Sequence, residues 1–150
     1  MTFDAITCSR MSVMAGHTGR VHCVTFSSDG RSFASGADGN TVKLWDMQTG
    51  GVAKTFLGHI RTVLSVSIST GHTRIVSESD DHEIYLWNIQ TGEHFHTIKQ
   101  QASVWHVSFS PIDPQHIIFI SGKRVWEWNS MVTRSHLHMM APTLPFPQIV

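Results

Sequence analysis

The chain has 150 residues, of which 41% are hydrophobic and 15% charged, and its 11 lysines and arginines balance 11 aspartates and glutamates. This composition is ordinary for a soluble globular protein, and the neutral balance argues against broad attraction to nucleic acid or to an anionic membrane. No apolar run approaches the roughly 20 residues of a membrane helix, and the N-terminal segment does not resemble a secretory signal. With only two cysteines, Cys8 and Cys23, and no C-x-x-C pair, we expect a reducing compartment, cytoplasmic with the nucleus possible.

Four short strands are predicted in the first third of the chain. "VHCVTFS" (21–27) alternates with a period of two, and "RSFASGA" (31–37) and "TVKLWDM" (41–47) follow it across an Asp-Gly-Asn turn. "VAKTFLG" (52–58) completes the set after a Thr-Gly bend at 49–50. Short alternating segments separated by turn signals predict one small antiparallel sheet.

The same pattern recurs 42 residues later. "VKLWDMQTG" (42–50) returns as "IYLWNIQTG" (84–92), and Gly16-His17 returns as Gly58-His59. A third, weaker copy has "VWHVSFS" (104–110) and Trp128-Asn129, but Gln100-Gln101 replaces Gly-His. The predicted divisions are the end of a preceding copy at 1–15, repeats at 16–57, 58–99 and 100–140 (degenerate), and a proline-rich tail at 141–150.

Gly-His, a strand pair ending in Ser-Gly and the sequence "VKLWD" at a constant 42-residue spacing resemble the WD-repeat β-propeller family. The resemblance covers roughly residues 3 to 140. It implies an all-β fold: a partial WD-repeat propeller with about three four-stranded antiparallel blades plus a leading strand, not closed. Each sheet would be covered on both faces by stacking against its neighbours.

Ser, His and Asp in the second copy also invite a hydrolase interpretation, but the resemblance implies a structural hydrogen-bond chain from Asp to His, Ser and the tryptophan N–H. The implied set is His17, Ser35 and Trp45 in repeat 1 and His59, Ser77, Asp81 and Trp87 in repeat 2. In repeat 1 Gly39 takes the Asp position, with Asp38 one residue early. In repeat 3 Ile120 is expected near the Ser position, so we expect the network to be tightest in repeat 2 and weakest in repeat 3.

The resemblance also implies that partners dock where the loops between blades meet the second turns. The matching positions are Arg20, His22, Asp38, Thr62, Leu64, Asp80, Ser103 and Trp105. Aromatic and arginine side chains are typical interface anchors. For Trp105, packing between blades is an equally weighted interpretation.

The remaining motifs do not predict a metal site or a nucleic-acid surface. His94-Phe95-His96 and His136-Leu137-His138 have zinc-like spacing but no further ligand, so we expect solvated histidines, no metal and no cofactor. "KRVWEW" (123–128) is only locally basic and does not predict a nucleic-acid surface.

The expected function is a non-catalytic scaffold for other proteins or peptides. A propeller-type hydrolase or oxidoreductase using His59, Ser77 or Asp81, and a structural remnant without a ligand, are the alternatives. A closed propeller needs about four to eight blades. The chain is therefore expected to be a fragment of a longer protein, to complete a ring with itself or a partner, or to be a marginal partial propeller.

Overall fold

The computed structural model describes residues 13–130 and 138–139. They form twelve strands and no helix, so the described part offers no segment that could cross a bilayer as an apolar helix. The strands form three antiparallel sheets, each of which is called a blade below.

Consecutive strands pair in order within every blade, as the period-two patterns predict. Blade 1 contains β1 (Val21–Phe26), β2 (Ser32–Ala37), β3 (Thr41–Asp46) and β4 (Val52–Leu57). Blade 2 contains β5 (Val63–Ile68), β6 (Arg74–Ser79), β7 (Glu83–Asn88) and β8 (His94–Lys99). Blade 3 contains β9 (Val104–Phe109), β10 (His116–Ser121), β11 (Arg124–Asn129) and β12 (His138–Met139).

The repeated "W-D/N-x-x-T-G" segment makes the turn between the third and fourth strands. In blade 1 the Asp46 carboxylate accepts hydrogen bonds from the backbone N–H groups of Gln48 and Thr49, both at 2.8 Å. Asn88 does the same in blade 2. Gly50 and Gly92 then adopt φ values of 72° and 83°, a left-handed conformation that glycine tolerates best. The segment recurs because both turns need the same side-chain acceptor and the same backbone freedom.

Blade 2 has both faces covered, as expected for a stacked sheet. Tyr85 and Trp87 on β7 pack into the core shared with blade 1, whereas the alternating Ile84 and Leu86 pack into the core shared with blade 3. The first strands lie innermost, with β5 in contact with both β1 and β9. The expected all-β, partial propeller-like arrangement with no closed sheet is therefore confirmed.

The ends of the chain are only partly described. The fourth strand of blade 3 has two residues, β12, against six in the corresponding strands of the other blades. Residues 13–15 carry no strand, and the rest of the predicted leading strand, most of the His136–His138 pair and the proline-rich tail lie outside the described residues.

Candidate functional site

The predicted hydrogen-bond chain is assembled completely in blade 2. The Trp87 indole Nε1–H donates to Ser77 Oγ at 2.7 Å, and Ser77 Oγ lies 2.8 Å from His59 Nε2. On the other side of the ring, His59 Nδ1 lies 2.9 Å from Asp81 Oδ2. These four residues come from the loop before β5, from β6, from the β6–β7 turn and from β7, so the chain ties one loop to one sheet.

The protonation states in this chain follow from burial and charge. Burial lowers the pKa of His59 despite the opposing effect of its hydrogen bond to Asp81, so the imidazole is neutral. Burial acts to raise the pKa of Asp81, but the hydrogen bond and electrostatic attraction of His59, together with the backbone N–H groups of Ile60 and Glu83, outweigh it, and the net shift is downward. His59 Nδ1–H therefore donates to the carboxylate, and Nε2 accepts from the Ser77 hydroxyl.

The geometry is that of a structural brace. The side chains of His59 and Asp81 are 1% and 3% exposed, and Ser77 is fully buried. A substrate has no approach to the Ser77 hydroxyl, whose oxygen already accepts the indole N–H.

The sequence pattern missed a fifth member of this group, Tyr85. Its ring stacks on His59 with centroids 4.3 Å apart, and its hydroxyl donates to Glu83 Oε2 at 2.6 Å. Glu83 in turn pairs with Lys99 at 2.8 Å, which lowers the pKa of Glu83. The available signal was an aromatic residue two positions before the tryptophan, which repeat 1 lacks because Lys43 stands there.

Blade 1 has a shorter version of the chain. His17 Nε2 lies 2.6 Å from Ser35 Oγ, which accepts the Trp45 indole N–H at 2.7 Å. In place of a carboxylate, the Thr41 hydroxyl lies 3.4 Å from His17 Nδ1. Asp38 is turned away and contacts His22 instead, with Nε2 and Oδ1 2.6 Å apart.

Blade 3 lacks the serine, but the residue in its place differs from the expectation. Ile117 pairs with Trp128 in blade 3 in the same way that Ile75 pairs with Trp87 in blade 2. Phe119, rather than Ile120, therefore stands at the position that Ser77 occupies in blade 2. Phe119 is fully buried, whereas Ile120 faces the other side and is 38% exposed. Repeat 3 is one residue shorter than repeat 2 at this point, and the residue is missing from the turn after β10. The 42-residue spacing from Ser77 therefore still holds at Phe119.

The predicted partner-binding residues lie at one end of the blades. Asp38 N–H donates to Arg20 O at 2.9 Å, Asp80 N–H to Thr62 O at 3.0 Å, and Gly122 N–H to Ser103 O at 3.3 Å. These three bonds occupy the same place in successive blades, so the residues around them share one rim. The name docking face is used below for Arg20, His22, Asp38, Thr62, Leu64, Asp80, Ser103 and Trp105.

Three residues of the docking face lie at β-bulges. The registers of β1, β5 and β9 each skip one residue, which leaves His22, Leu64 and Trp105 without a partner in the neighbouring strand. A bulge redirects its side chain away from the regular alternation of the strand. Trp105 is consequently 66% exposed rather than packed between blades.

The docking face is joined across blades 1 and 2. The Thr62 hydroxyl donates to Asp38 Oδ1 at 3.2 Å, on the same oxygen that contacts His22. The hydrogen bond with His22 lowers the pKa of Asp38, with a smaller contribution from Arg20. Asp80 joins this cluster only through its backbone N–H, which donates to Thr62 O, and no hydrogen bond among the described residues joins Trp105 to it, so the structure brings together only part of the predicted set.

A buried carboxyl was also missed. Glu78 on β6 is fully buried and pairs in register with Ser65 and Ile84, and neither of its oxygens has a hydrogen-bond partner within residues 13–130 and 138–139. Burial, with repulsion from Asp80 and Asp81, raises the pKa of Glu78 to about 8. The only signal in the sequence was an acid in repeat 2 at the position of Gly36 in repeat 1.

No group of three or more His, Cys, Asp or Glu side chains within the described residues is placed to hold a metal ion. His94 and His96 lie on the outer strand β8, where His94 stacks on an aromatic ring and His96 makes a tilted contact with one. The His94 ring lies 4.6 Å from Tyr85, and the His96 ring lies 4.7 Å from Trp128.

Comparison with known proteins identifies the repeat. The profile of the WD domain, G-beta repeat family matches residues 8–46 and 50–88, just over half of the chain. The chain belongs to the WD-repeat family. This WD-repeat chain is similar to the chicken serine-threonine kinase receptor-associated protein, with 40% identity over 48 residues, and to the Arabidopsis thaliana Notchless protein homolog, with 53% identity over 36 residues.

A solved structure shows the same fold. The β-propeller domain of Myceliophteria thermophila Cps50 (Swd1) superposes with a TM-score of 0.71 at 25% identity, over 76% of the WD-repeat chain and 37% of that domain. The matches to the two curated relatives cover 32% and 24% of the WD-repeat chain but only 14% and 8% of the relatives. The chain is a WD-repeat propeller domain that spans a minor part of the proteins it resembles.

Proposed function

We propose that this chain is a non-catalytic protein-interaction module whose partner, a protein or peptide, binds at the docking face. The observation that carries the proposal is Trp105, a large aromatic side chain that is 66% exposed on a bulge at the end of the blades. Arg20 and His22 are exposed at the corresponding end of blade 1. Aromatic and arginine residues of this kind dominate the binding energy of protein interfaces.

The hydrolase or oxidoreductase alternative is less well supported. His59, Ser77 and Asp81 are enclosed in the blade and already engaged with one another. Burial raises the pKa of the Cys23 thiol to about 11, so this residue is not an activated nucleophile either. We place the module in the cytoplasm, with the nucleus possible, because Cys23 is a free thiol and the chain has only one other cysteine.

The partial propeller also bears on the proposal. We infer that further blades, from a longer chain, a second copy or a partner, cover the open faces of blades 1 and 3. The exposed apolar side chains on β1 and β10 support this inference.

Selection of peptides from a random phage-displayed library on the purified chain tests the proposal. Peptides that bind should lose at least tenfold in affinity, about 1.4 kcal/mol, on Trp105→Ala. Ile112→Ala removes a 91% exposed side chain outside the docking face and should change the affinity less than twofold. The structural-remnant alternative predicts no enriched peptide, and peptides indifferent to Trp105 and Arg20 would contradict the assigned face.

A further inference from the structure

Blade 3 contains a cavity where blade 2 has its brace. The cavity measures about 410 Å³ and lies between the loop that follows β8 and the β10–β11 turn, with Gln100 and Gln101 in its wall. Gln100 and Gln101 stand where the other copies have Gly-His. The histidine ring that fills the corresponding space in blade 2 is therefore missing, and the space remains open.

The charge around this space is reversed between the two blades. By register, Glu83 corresponds to Arg124 and Tyr85 to Trp126, because β7 and β11 align through Trp87 and Trp128. The three-residue turn that contains Asp81 is reduced to Gly122 and Lys123. Carboxylates on one blade thus become cations on the next.

The wall of the cavity has donors and no acid. Lys99, Lys123 and Arg124 line it, and no aspartate or glutamate does so among the described residues. Lys99 is paired with Glu83, whereas Lys123 and Arg124 are exposed. Trp126 also lines the cavity, and its buried indole N–H has no hydrogen-bond acceptor in the part of the chain that the structure describes. A buried donor without an acceptor is costly and marks a place where an acceptor is missing.

We propose that this cavity binds a carboxylate side chain of an acidic peptide segment, which replaces the acid that blade 3 has lost. The ligand carboxylate would be held by Lys123 and Arg124, and it would offer an acceptor beside the Trp126 indole. Arginine binds a carboxylate in a bidentate arrangement, which gives the pair geometric specificity.

The position and extent of the cations favour a peptide over a nucleic acid. The cavity adjoins the docking face, because Gly122 N–H donates to Ser103 O at 3.3 Å and Ser121 Oγ–H to Ala102 O at 3.3 Å. The cations surround a single cavity and do not form a track for a phosphate backbone, and the chain has no net formal charge. The inference rests on the proposed function and adds the chemistry of the partner to it.

Titration of the ¹⁵N-labelled chain with capped hexaglutamate tests the inference, with capped hexaglutamine and a dT hexanucleotide as competing probes. Hexaglutamate should shift the Trp126 indole cross-peak, which is assigned by its loss in Trp126→Phe. Lys123→Ala with Arg124→Ala should weaken binding at least tenfold. Arg31→Ala with Lys54→Ala removes the same charge from blade 1 and should change affinity less than twofold.

Equal binding of hexaglutamine, tighter binding of the oligonucleotide, or an unchanged affinity in the Lys123/Arg124 variant would each overturn the inference. Three of the four side chains are exposed and Lys54 is partly buried, so both double variants should keep the thermal unfolding midpoint of the unmodified chain. An unchanged midpoint shows that their folds are intact. If the selected peptides still depend on Trp105 while hexaglutamate does not bind, the proposed function stands and only the acidic-partner inference fails.

Discussion

Individual side chains in this protein depart from the repeat pattern at positions that the pattern itself makes important. Glu78 is the clearest case, because it occupies a fully buried strand position where repeat 1 has Gly36. Neither of its oxygens has a partner among the described residues, and its neighbours in register are Ser65 and Ile84. Such a carboxyl is tolerated chiefly in its neutral form.

Glu78 should make the stability of the chain fall as the pH rises. Its folded pKa of about 8 lies above the unfolded value near 4.5, so between these values the folded state retains a proton that the unfolded state has released. The stabilising contribution is complete below about pH 4.5 and is lost as the pH rises through 8. Glu78→Met should flatten this dependence and raise the free energy of unfolding at pH 8 by about 1–3 kcal/mol.

Urea unfolding at pH 5, 6, 7, 8 and 9 measures the slope for both proteins. Glu93→Met, which changes an exposed carboxylate, provides the control and should keep the native slope. An equal pH dependence in the chain and in Glu78→Met would show that Glu78 is not the titrating group.

Within one blade, the hydrogen-bond chain determines how firmly the connecting loop is attached to the sheet. Blade 2 has all four members and the stacked Tyr85, blade 1 has three members with Thr41 at the end, and blade 3 has Phe119 in place of the serine. A network adds stability when every buried donor and acceptor in it is satisfied. The blades therefore differ in cohesion although their strands pair in the same order.

Ser77→Ala should lower the free energy of unfolding by about 1–3 kcal/mol, because it leaves the Trp87 N–H without an acceptor and His59 Nε2 without a donor. Ser35→Ala should cost less, since His17 is only half-buried and has Thr41 rather than a carboxylate as its partner among the residues the structure describes. Urea denaturation of the two variants, with the exposed Ser28→Ala as control, measures the difference. A loss in Ser35→Ala equal to or larger than that in Ser77→Ala would contradict the ranking of the blades.

In the molecule as a whole, the stack of blades leaves an apolar face open at each end. Val24, Phe26 and Phe33 on blade 1 correspond to Val66, Ile68 and Ile75, the residues with which blade 2 packs against blade 1. Val24 and Phe26 are 60% and 62% exposed, whereas Val66 is 6% exposed. The back of blade 3 is also open, with Ile118, Ile120 and Val125 between 38% and 41% exposed. A surface of this kind promotes association.

The isolated chain should therefore self-associate head to tail, with the open face of blade 1 against the back of blade 3 in a second copy. Sedimentation velocity should show a coefficient that rises with concentration, and Phe26→Asp should shift the distribution toward the monomer. Ile112→Asp adds the same charge to a 91% exposed site away from both faces and should leave the distribution unchanged. A single monomeric species in the unmodified chain at all concentrations would refute this expectation.

Much of this fold is predictable from the sequence because it depends on local signals that repeat. Turn chemistry at Asp46 and Gly50, and at Asn88 and Gly92, acts within a few residues and recurs at a constant spacing. The alternation of apolar residues likewise predicted the strands, and the resemblance carried by the spacing of Gly-His and Trp implied that the sheets stack. Residues of the candidate site were predictable only where they recur at equivalent positions of the repeats, as His59 and Ser77 do.

Local sequence specifies the blade and its repetition, because strand pairing and tight turns depend on neighbours along the chain. The packing of one blade against the next, by contrast, set which side chains are enclosed. It exposed Trp105 on a bulge, buried Glu78 without a partner, placed Phe119 at the serine position and opened a cationic cavity beside Trp126. Burial depends on what the adjacent blade presents across the interface, and that neighbour lies about 40 residues away in sequence.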